Sequence, residues 1–345
     1  MTEPRVELAQ ALPPAAGSPG PPSRSPAGTG RSAWSLVSRL GTVWFLVLLV
    51  ALAQIVYPGF TQSGNLRNIL SQNAPLGLIA VGMTFAMICG GFDLSVGGTV
   101  AMSSVVFAKL SLTGPLWQAA AVTLLLGLAL GLVNGALVTR FGINPFIATL
   151  ATASVYSGAA YLLSDSQPIV VDKPGFLKLG QGDLAGVPTA VWILLVAFVV
   201  GGLVLSGTVY GHCVYAVGGN KEAARLAGIR VDLVQVVSYV AVGVMAALAG
   251  ILLSSRLGVG QADVGSDMTL DVITIVVIGG TSLFGGEGAV WRTAVGLLLL
   301  GVIVNVADSK GWNGSLENIL KGCVLLAAVG LDVFVRRLRN GRRTP

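Results

Sequence analysis

An all-α protein that crosses a membrane about ten times is the fold this sequence predicts, on three observations. Hydrophobic residues make up 54% of the 345 positions and charged residues 10%, against about 25% charged in a typical soluble domain. The apolar residues gather into runs approaching the roughly 20 residues that a helix needs to span the hydrocarbon core. The basic residues gather at the ends: of 21 Lys and Arg, four lie in residues 1–39 and five in residues 336–343.

Taken in order, the runs lie near Leu40–Tyr57, Ala74–Gly91, Leu94–Ala108, Leu116–Val138 and Ile143–Leu163. Five more lie near Ala190–Tyr210, Leu233–Ser254, Met268–Leu283, Thr293–Ala307 and Asn318–Val335. An even count places both termini on one side, and Arg24, Arg31, Arg39 and the Arg336–Arg343 cluster mark that side as cytoplasmic. Loops near 139–142, 211–232 and 284–292 then face the cytoplasm, and the polar stretches 58–73, 164–189 and 255–267 face outward. The net charge of +6 reads as positive-inside topology, and no basic face interleaved with aromatics supports nucleic-acid binding. Residues 1–34 carry seven of the 15 prolines and cannot bury a core, so they are expected to be a disordered cytoplasmic tail. Residues 35–335 form the transmembrane domain, and 336–345 a basic cytoplasmic tail.

Four features inside the membrane region stand out. Gly90-Gly-Phe-Asp-Leu-Ser-Val-Gly-Gly98 breaks the helix between the second and third runs. Asp93 within it must face protein, water or the membrane boundary, as a helix cap, a path residue or both. Gly127, Gly131 and Gly135 place small residues on one helical face, which lets a neighbouring helix approach closely. Asn144-Pro145 reads as a helix start, since the first turn tolerates a missing amide. Ile278-Gly-Gly-Thr-Ser-Leu-Phe-Gly-Gly-Glu-Gly288 echoes the first glycine block and hints at an internal repeat. Asp271 and Asp332 lie near span ends, where both are expected to stay hydrated.

Chemistry-bearing sets are sparse. Cys89, Cys213 and Cys323 lack metal-ligand spacing and read as small core residues. His212, the single histidine, reads as structural or solvated. The sequence holds no Gly-x4-Gly-Lys-[Ser/Thr] loop, no Ser/His/Asp arrangement and no metalloprotease signature. No catalytic residue and no metal ligand is assigned, and an enzyme is not expected.

The largest polar island between two apolar runs is Tyr215-Ala-Val-Gly-Gly-Asn-Lys-Glu-Ala-Ala-Arg-Leu-Ala-Gly-Ile229. Asn220 can cap a helix whose first turn carries Glu222, and Gly228 can end it in the left-handed conformation. A helix of about seven residues is roughly 10 Å long and cannot span a bilayer. It is either a connecting loop or a docking surface for a soluble partner.

Four ordered blocks give the chain a family resemblance: Gly90–Gly97, Pro145–Leu150, Tyr215–Ile229 and Leu270–Leu283, with Gly285-Gly286 and Leu331-Asp332 also fitting. Over about residues 38–340 the chain resembles the permease subunits of bacterial ribose-type ATP-binding cassette (ABC) importers. The resemblance implies a type II ABC importer fold and makes residues 220–229 the coupling helix that enters a groove of the ATP-binding subunit. Asn220, Glu222, Ala223, Ala224, Arg225, Leu226 and Gly228 are its residues here. It further implies a sugar-binding protein outside, a second permease copy, and a location in the bacterial inner membrane. ATP and Mg2+ then belong to the partner ATPase, and this chain carries no cofactor. The sequence departs from the family at Asp267-Met-Thr269, at His212 and at Asn305-Val-Ala-Asp308.

The expected cargo is a monosaccharide or similar neutral solute. Asp93, Ser95, Asn134, Phe146, Thr149, Thr281 and Asn305 are the expected path residues. The competing readings are an ABC permease for autoinducer-2 or a branched-chain amino acid, and an ion-coupled secondary transporter with Asp93 as its carboxylate.

Overall fold

A computed structural model describes residues 41–341, with side chains described through residue 330. The expectations for residues 1–34, for the side chain of Asp332 and for the basic side chains of 336–343 fall outside these. Helix α1 is Gly41–Val56, α2 Ser63–Ile88, α3 Val96–Thr113, α4 Leu116–Thr139 and α5 Pro145–Leu163. A folded connection follows, with β1 (Ile169–Val170), α6 (Lys178–Gln181), β2 (Asp183–Leu184) and β3 (Val187–Pro188). The chain continues as α7 Thr189–Gly207, α8 Val209–Gly219, α9 Lys221–Leu226 and α10 Val231–Leu257. It ends with β4 Val259–Gly260, α11 Met268–Ile278, α12 Val290–Ser309 and α13 Gly314–Gly341.

Among the described residues, α2, α3, α4, α5, α7, α10 and α12 are the seven helices long and apolar enough to cross a membrane. Helices α1 and α11 are apolar but shorter. Helix α11 stops at Ile278 rather than at Leu283, because Gly280 turns left-handed at φ 89°. Helix α13 begins at Gly314, and its backbone stays helical through Gly341, past the boundary expected at 336.

Two expected loops turn out to be ordered. The polar stretch 58–73 is largely the first turns of α2, where its amides find local partners. Asn73 Nδ2 donates to the Ile69 carbonyl at 2.8 Å, and Gln72 Nε2 to Asn68 Oδ1 at 2.8 Å. The 164–189 stretch is stapled down by antiparallel pairing of β1 with β4 and by Lys173 Nζ, which donates to the carbonyls of Ser111 and Gly114. Its β2–β3 hairpin turns through Ala185 and Gly186, both at positive φ, the backbone of a tight two-residue turn.

Helix α10 is the axis of the body and packs on α2, α3 and α4. Its contact with α4 follows from the absence of side chains. A Cβ on Gly131 would lie 2.6 Å from the Tyr239 carbonyl oxygen, and one on Gly135 2.9 Å from Val236 Cα. Gly243 answers from α10 by meeting the backbone of Gly127 and Gly131. The three glycines are thus the packing face that their spacing predicts. Leu78, Met83, Val100, Leu194, Val242, Ile275 and Leu300 fill the contiguous core between α2, α3, α7, α10, α11 and α12.

The two glycine breaks share a backbone design. Gly90 and Gly280 are both left-handed, and each closes its helix with an i−5 and an i−3 hydrogen bond: Gly91 to Ala86 and Gly90 to Met87, Thr281 to Val276 and Gly280 to Val277. This is the Schellman termination. Asp93 Oδ1 then accepts from the Ser95 amide, as Ser282 Oγ accepts from the Phe284 amide. The sequence echo thus has a structural counterpart, although its left-handed glycine is the first of the pair in one break and the second in the other.

Contrary to the hydration expected near a span end, Asp271 is buried and paired. Lys321 Nζ on α13 lies 2.9 Å from Asp271 Oδ2 and 2.8 Å from Glu317 Oε1. Cys89 is a buried core residue, whereas Cys213 is half-buried and Cys323 exposed.

The glycine face yields a test. Gly131→Val should destabilise the protein by about 1–3 kcal/mol through overpacking, read as a fall in apparent Tm in detergent. Gly202→Ala, on α7 where nothing lies within 4 Å, should leave Tm unchanged.

Candidate functional site

The short helix α9 is built as its sequence predicts. Asn220 takes an extended backbone, and its Oδ1 accepts from the Ala223 amide at 3.0 Å. At the other end Gly228 sits at φ 83°, Ile229 N donates to the Ala224 carbonyl and Gly228 N to that of Arg225. Six helical residues therefore carry both an Asn cap and a Schellman ending, which keep so short a helix from fraying.

Its faces are unequal. Leu226 is 89% exposed, and Glu222 and Arg225 are exposed with a 3.1 Å contact between Arg225 Nη1 and Glu222 Oε1. An exposed pair of this kind contributes only about 0.3–0.5 kcal/mol to stability. Ala224 points the other way: it is 4% exposed and packs with Val231 and Val234, so it anchors the helix instead of facing outward. Ala223 stays exposed. His212, on α8, is exposed, and its Nδ1 lies 2.8 Å from the Thr208 carbonyl oxygen.

The expected path residues separate into three groups. Asp93, Ser95, Asn134 and Thr149 come together and are all buried, Asp93 to 1% exposure. Asp93 Oδ1 accepts from the Ser95 amide at 2.8 Å and its hydroxyl at 2.6 Å, while Asn134 Nδ2 approaches both carboxylate oxygens at 3.2–3.3 Å. Asn134 Nδ2 also donates to Ser95 Oγ at 2.7 Å. On its other side Asn134 Oδ1 accepts from Thr152 Oγ1 at 2.7 Å and from the Tyr156 hydroxyl at 3.2 Å. Thr149 Oγ1 accepts from the Leu94 amide at 3.0 Å. Thr152 and Tyr156 went unnoticed in the sequence, where only their spacing on the Asn144-Pro145 helix pointed to them. Asp93 is also not the N-cap of α3: Ser95 holds that position, and Asp93 receives its amide.

These groups satisfy one another, so the set ties α3, α4 and α5 together instead of lining an opening. Thr281 and Asn305 lie elsewhere. Thr281 is buried in the α11–α12 connection with its hydroxyl unpartnered, and Asn305 exchanges amide hydrogen bonds with Asn65 of α2.

Phe146 alone among the expected path residues borders an open groove, of about 630 Å3, a size usual for small-molecule sites. One wall is a single face of α5: Phe146, Leu150, Ala153, Ser157 and Tyr161, spaced four, three, four and four residues apart. The opposite wall is Asp263, Ser266 and Thr269 at the entry to α11. Gly97 and Gly98 of α3 form the floor, and a Cβ on Gly98 would lie 2.6 Å from the Ala153 carbonyl oxygen. The groove offers carbon surface and two aromatic rings, Phe146 and Tyr161, beside hydroxyls and a single carboxylate.

Breaking the buried set should be measurable. Asn134→Leu leaves Asp93 sealed without its amide donor and should cost about 3 kcal/mol of stability, seen as a lower apparent Tm. Asp93→Asn keeps a polar group that Ser95 and Asn134 can still bond, and should cost less.

Residues 65–329 match the family model described as branched-chain amino acid transport system / permease component. The ribose import permease protein RbsC of Bacillus subtilis is 39% identical over 307 residues, covering 86% of this chain and 93% of that one. The L-arabinose ABC transporter permease protein AraH of Azospirillum brasilense is 34% identical over 338 residues, 97% of this chain and all of that one. The L-arabinose transport system permease protein AraH of Escherichia coli K12 is 35% identical over 331 residues, 93% and 98% of the two chains. No solved structure matches the chain. With a family model and full-length relatives agreeing on a chain of apolar helices, this protein belongs to the branched-chain amino acid transport system / permease component family.

Proposed function

We propose that the chain is the membrane-spanning subunit of an ABC importer that moves a monosaccharide, using ATP and Mg2+ bound to a separate ATPase. The observation that carries the reading is α9: a doubly capped six-residue helix that displays Glu222, Arg225 and Leu226 and is anchored by Ala224. A structure so short and so firmly terminated serves as a rigid plug for a groove on a soluble partner.

The ribose and arabinose relatives support a sugar as the cargo. The groove beside α5 agrees with it, because a pyranose or furanose ring needs hydroxyl partners and carbon faces and little charge. Helix α5 is also an odd helix to leave facing lipid. Where α7 is an almost unbroken apolar run, α5 leaves Ser154 and Tyr161 exposed and Ser157 half-buried. A second copy of the chain, facing this one across α5, would close the groove into a path, with Phe146 among its lining. Asp93, Ser95, Asn134 and Thr149 hold the frame of that path.

The ten apolar runs correspond to ten spans in this reading, with both termini in the cytoplasm and the protein in the bacterial inner membrane. A sugar-loaded binding protein delivers cargo to the end that carries β1, β4 and the β2–β3 hairpin.

Charge reversal tests the docking helix. Glu222→Arg and Arg225→Glu should each abolish ATPase stimulation by the sugar-loaded binding protein, with insertion into the membrane unchanged. Full activity of the double reversal with an unmodified ATPase would contradict the docking role.

A further inference from the structure

Where α8 meets α9, three distant chain segments touch through bare backbone. Gly218, two residues before the cap Asn220, has no room for a side chain: a Cβ there would strike the Ile88 carbonyl oxygen at the end of α2 and come within 2.6 Å of the Gly286 nitrogen. Gly286 N in turn donates to the Ile88 carbonyl at 2.8 Å. A Cβ on Gly285 would lie 2.9 Å from the Gly218 carbonyl oxygen and 3.0 Å from Gly90 Cα. The Tyr215 hydroxyl closes the joint by donating to the Gly288 carbonyl at 2.8 Å. Gly218 lies within α8, at φ below zero, so left-handed backbone does not account for it; close approach does.

We infer that Gly218, Gly286 and Tyr215 are positioning residues that carry motion of α9 into the walls of the groove. The inference rests on the docking role of α9. One residue, Asn220, separates α8 from α9, so displacement of the docking helix bears directly on the joint. From Ile88 the chain runs through Gly90 and Asp93 into Gly97 and Gly98, the groove floor. From Gly286 it runs back through Thr281 into α11, whose first residues Thr269 and Leu270 form the facing wall. With backbone against backbone, no side-chain rotamer at the joint can absorb the displacement. The joint thus supplies a contiguous route between the docking face and both sides of the groove.

Neighbouring glycines provide the test, because a Cβ on Gly219 would meet nothing within 4 Å while one on Gly218 would strike the Ile88 carbonyl. Gly218→Ala and Gly219→Ala are compared in the complete importer, reconstituted in nanodiscs with its ATPase and binding protein. Three readouts are taken: ATPase retained on the purified complex, basal ATP hydrolysis, and hydrolysis stimulated by the sugar-loaded binding protein. Gly218→Ala should retain the ATPase and basal rate while the stimulated-to-basal ratio falls about tenfold, within the range of site-to-site couplings. Gly219→Ala should match the unmodified chain. An unchanged ratio in Gly218→Ala, or an equal loss in Gly219→Ala, would overturn the inference.

Should Gly218→Ala fail to assemble, Tyr215→Phe decides. It removes one hydrogen bond and adds no atom, and should lower the ratio several-fold; a wild-type ratio would overturn the inference. Failure of the unmodified chain to hold an ATPase would instead defeat the docking role, and so is separable from failure of the joint.

Discussion

A carboxylate sealed inside an apolar helical body persists only where fixed donors meet it, and the position of Asp93 constrains much of what surrounds it. Ser95 supplies two donors from the same chain turn, but the remaining one, Asn134, comes from α4. Helix α4 must therefore lie close, and its glycines allow it. Asn134 sits between Gly131 and Gly135, the residues through which α4 touches α10. Tyr239 joins the two arrangements: Gly131 packs on its carbonyl, and its hydroxyl donates to the Phe92 carbonyl one residue before Asp93. Polar satisfaction and small-residue packing are one construction here. Its product is a helix break held open at a fixed place.

The break has two outlets. Toward α3 it delivers Gly97 and Gly98 to the groove floor, where only glycine lets α5 and the entry to α11 come near. Toward α2 it ends at Ile88, whose carbonyl receives Gly286 and abuts Gly218. Helix α9, the break and the groove are accordingly linked through backbone contacts and the main chain itself. Such a body suits a subunit that receives force at one end and opens or closes a path between its helices.

What could be read from the sequence was what local chemistry dictates. The Asn220 cap and the Gly228 ending of α9 depend on residues within one helical turn. The spacing of Gly127, Gly131 and Gly135 declares a packing face, without naming α10 as its partner. The partners of Asp93 and Asp271 were not legible, because Asn134 lies 41 residues from the first and Lys321 50 residues from the second. For the same reason Asp93, Ser95, Asn134 and Thr149 read as path residues: polarity in a membrane helix is visible in the sequence, but its saturation by Thr152 and Tyr156 is a tertiary fact. Gly218 looked like one more glycine in a polar island, and only the contact with Ile88 gives it meaning. The stretch 58–73 reads as polar and outside the apolar run because its asparagines are weak helix formers, and the bonds of Asn65 to Asn305 and of Asn73 to Ile69 override that preference.

In the proposed function, ATP hydrolysis on a docked partner drives cargo through this chain. Uptake of radiolabelled sugar into proteoliposomes that hold the complete importer tests it most directly, with the sugar-loaded binding protein on the outer side. Uptake should need ATP inside and persist when ionophores collapse every ion gradient. Uptake that proceeds without ATP or ATPase and follows an imposed proton or sodium gradient would contradict the proposed function.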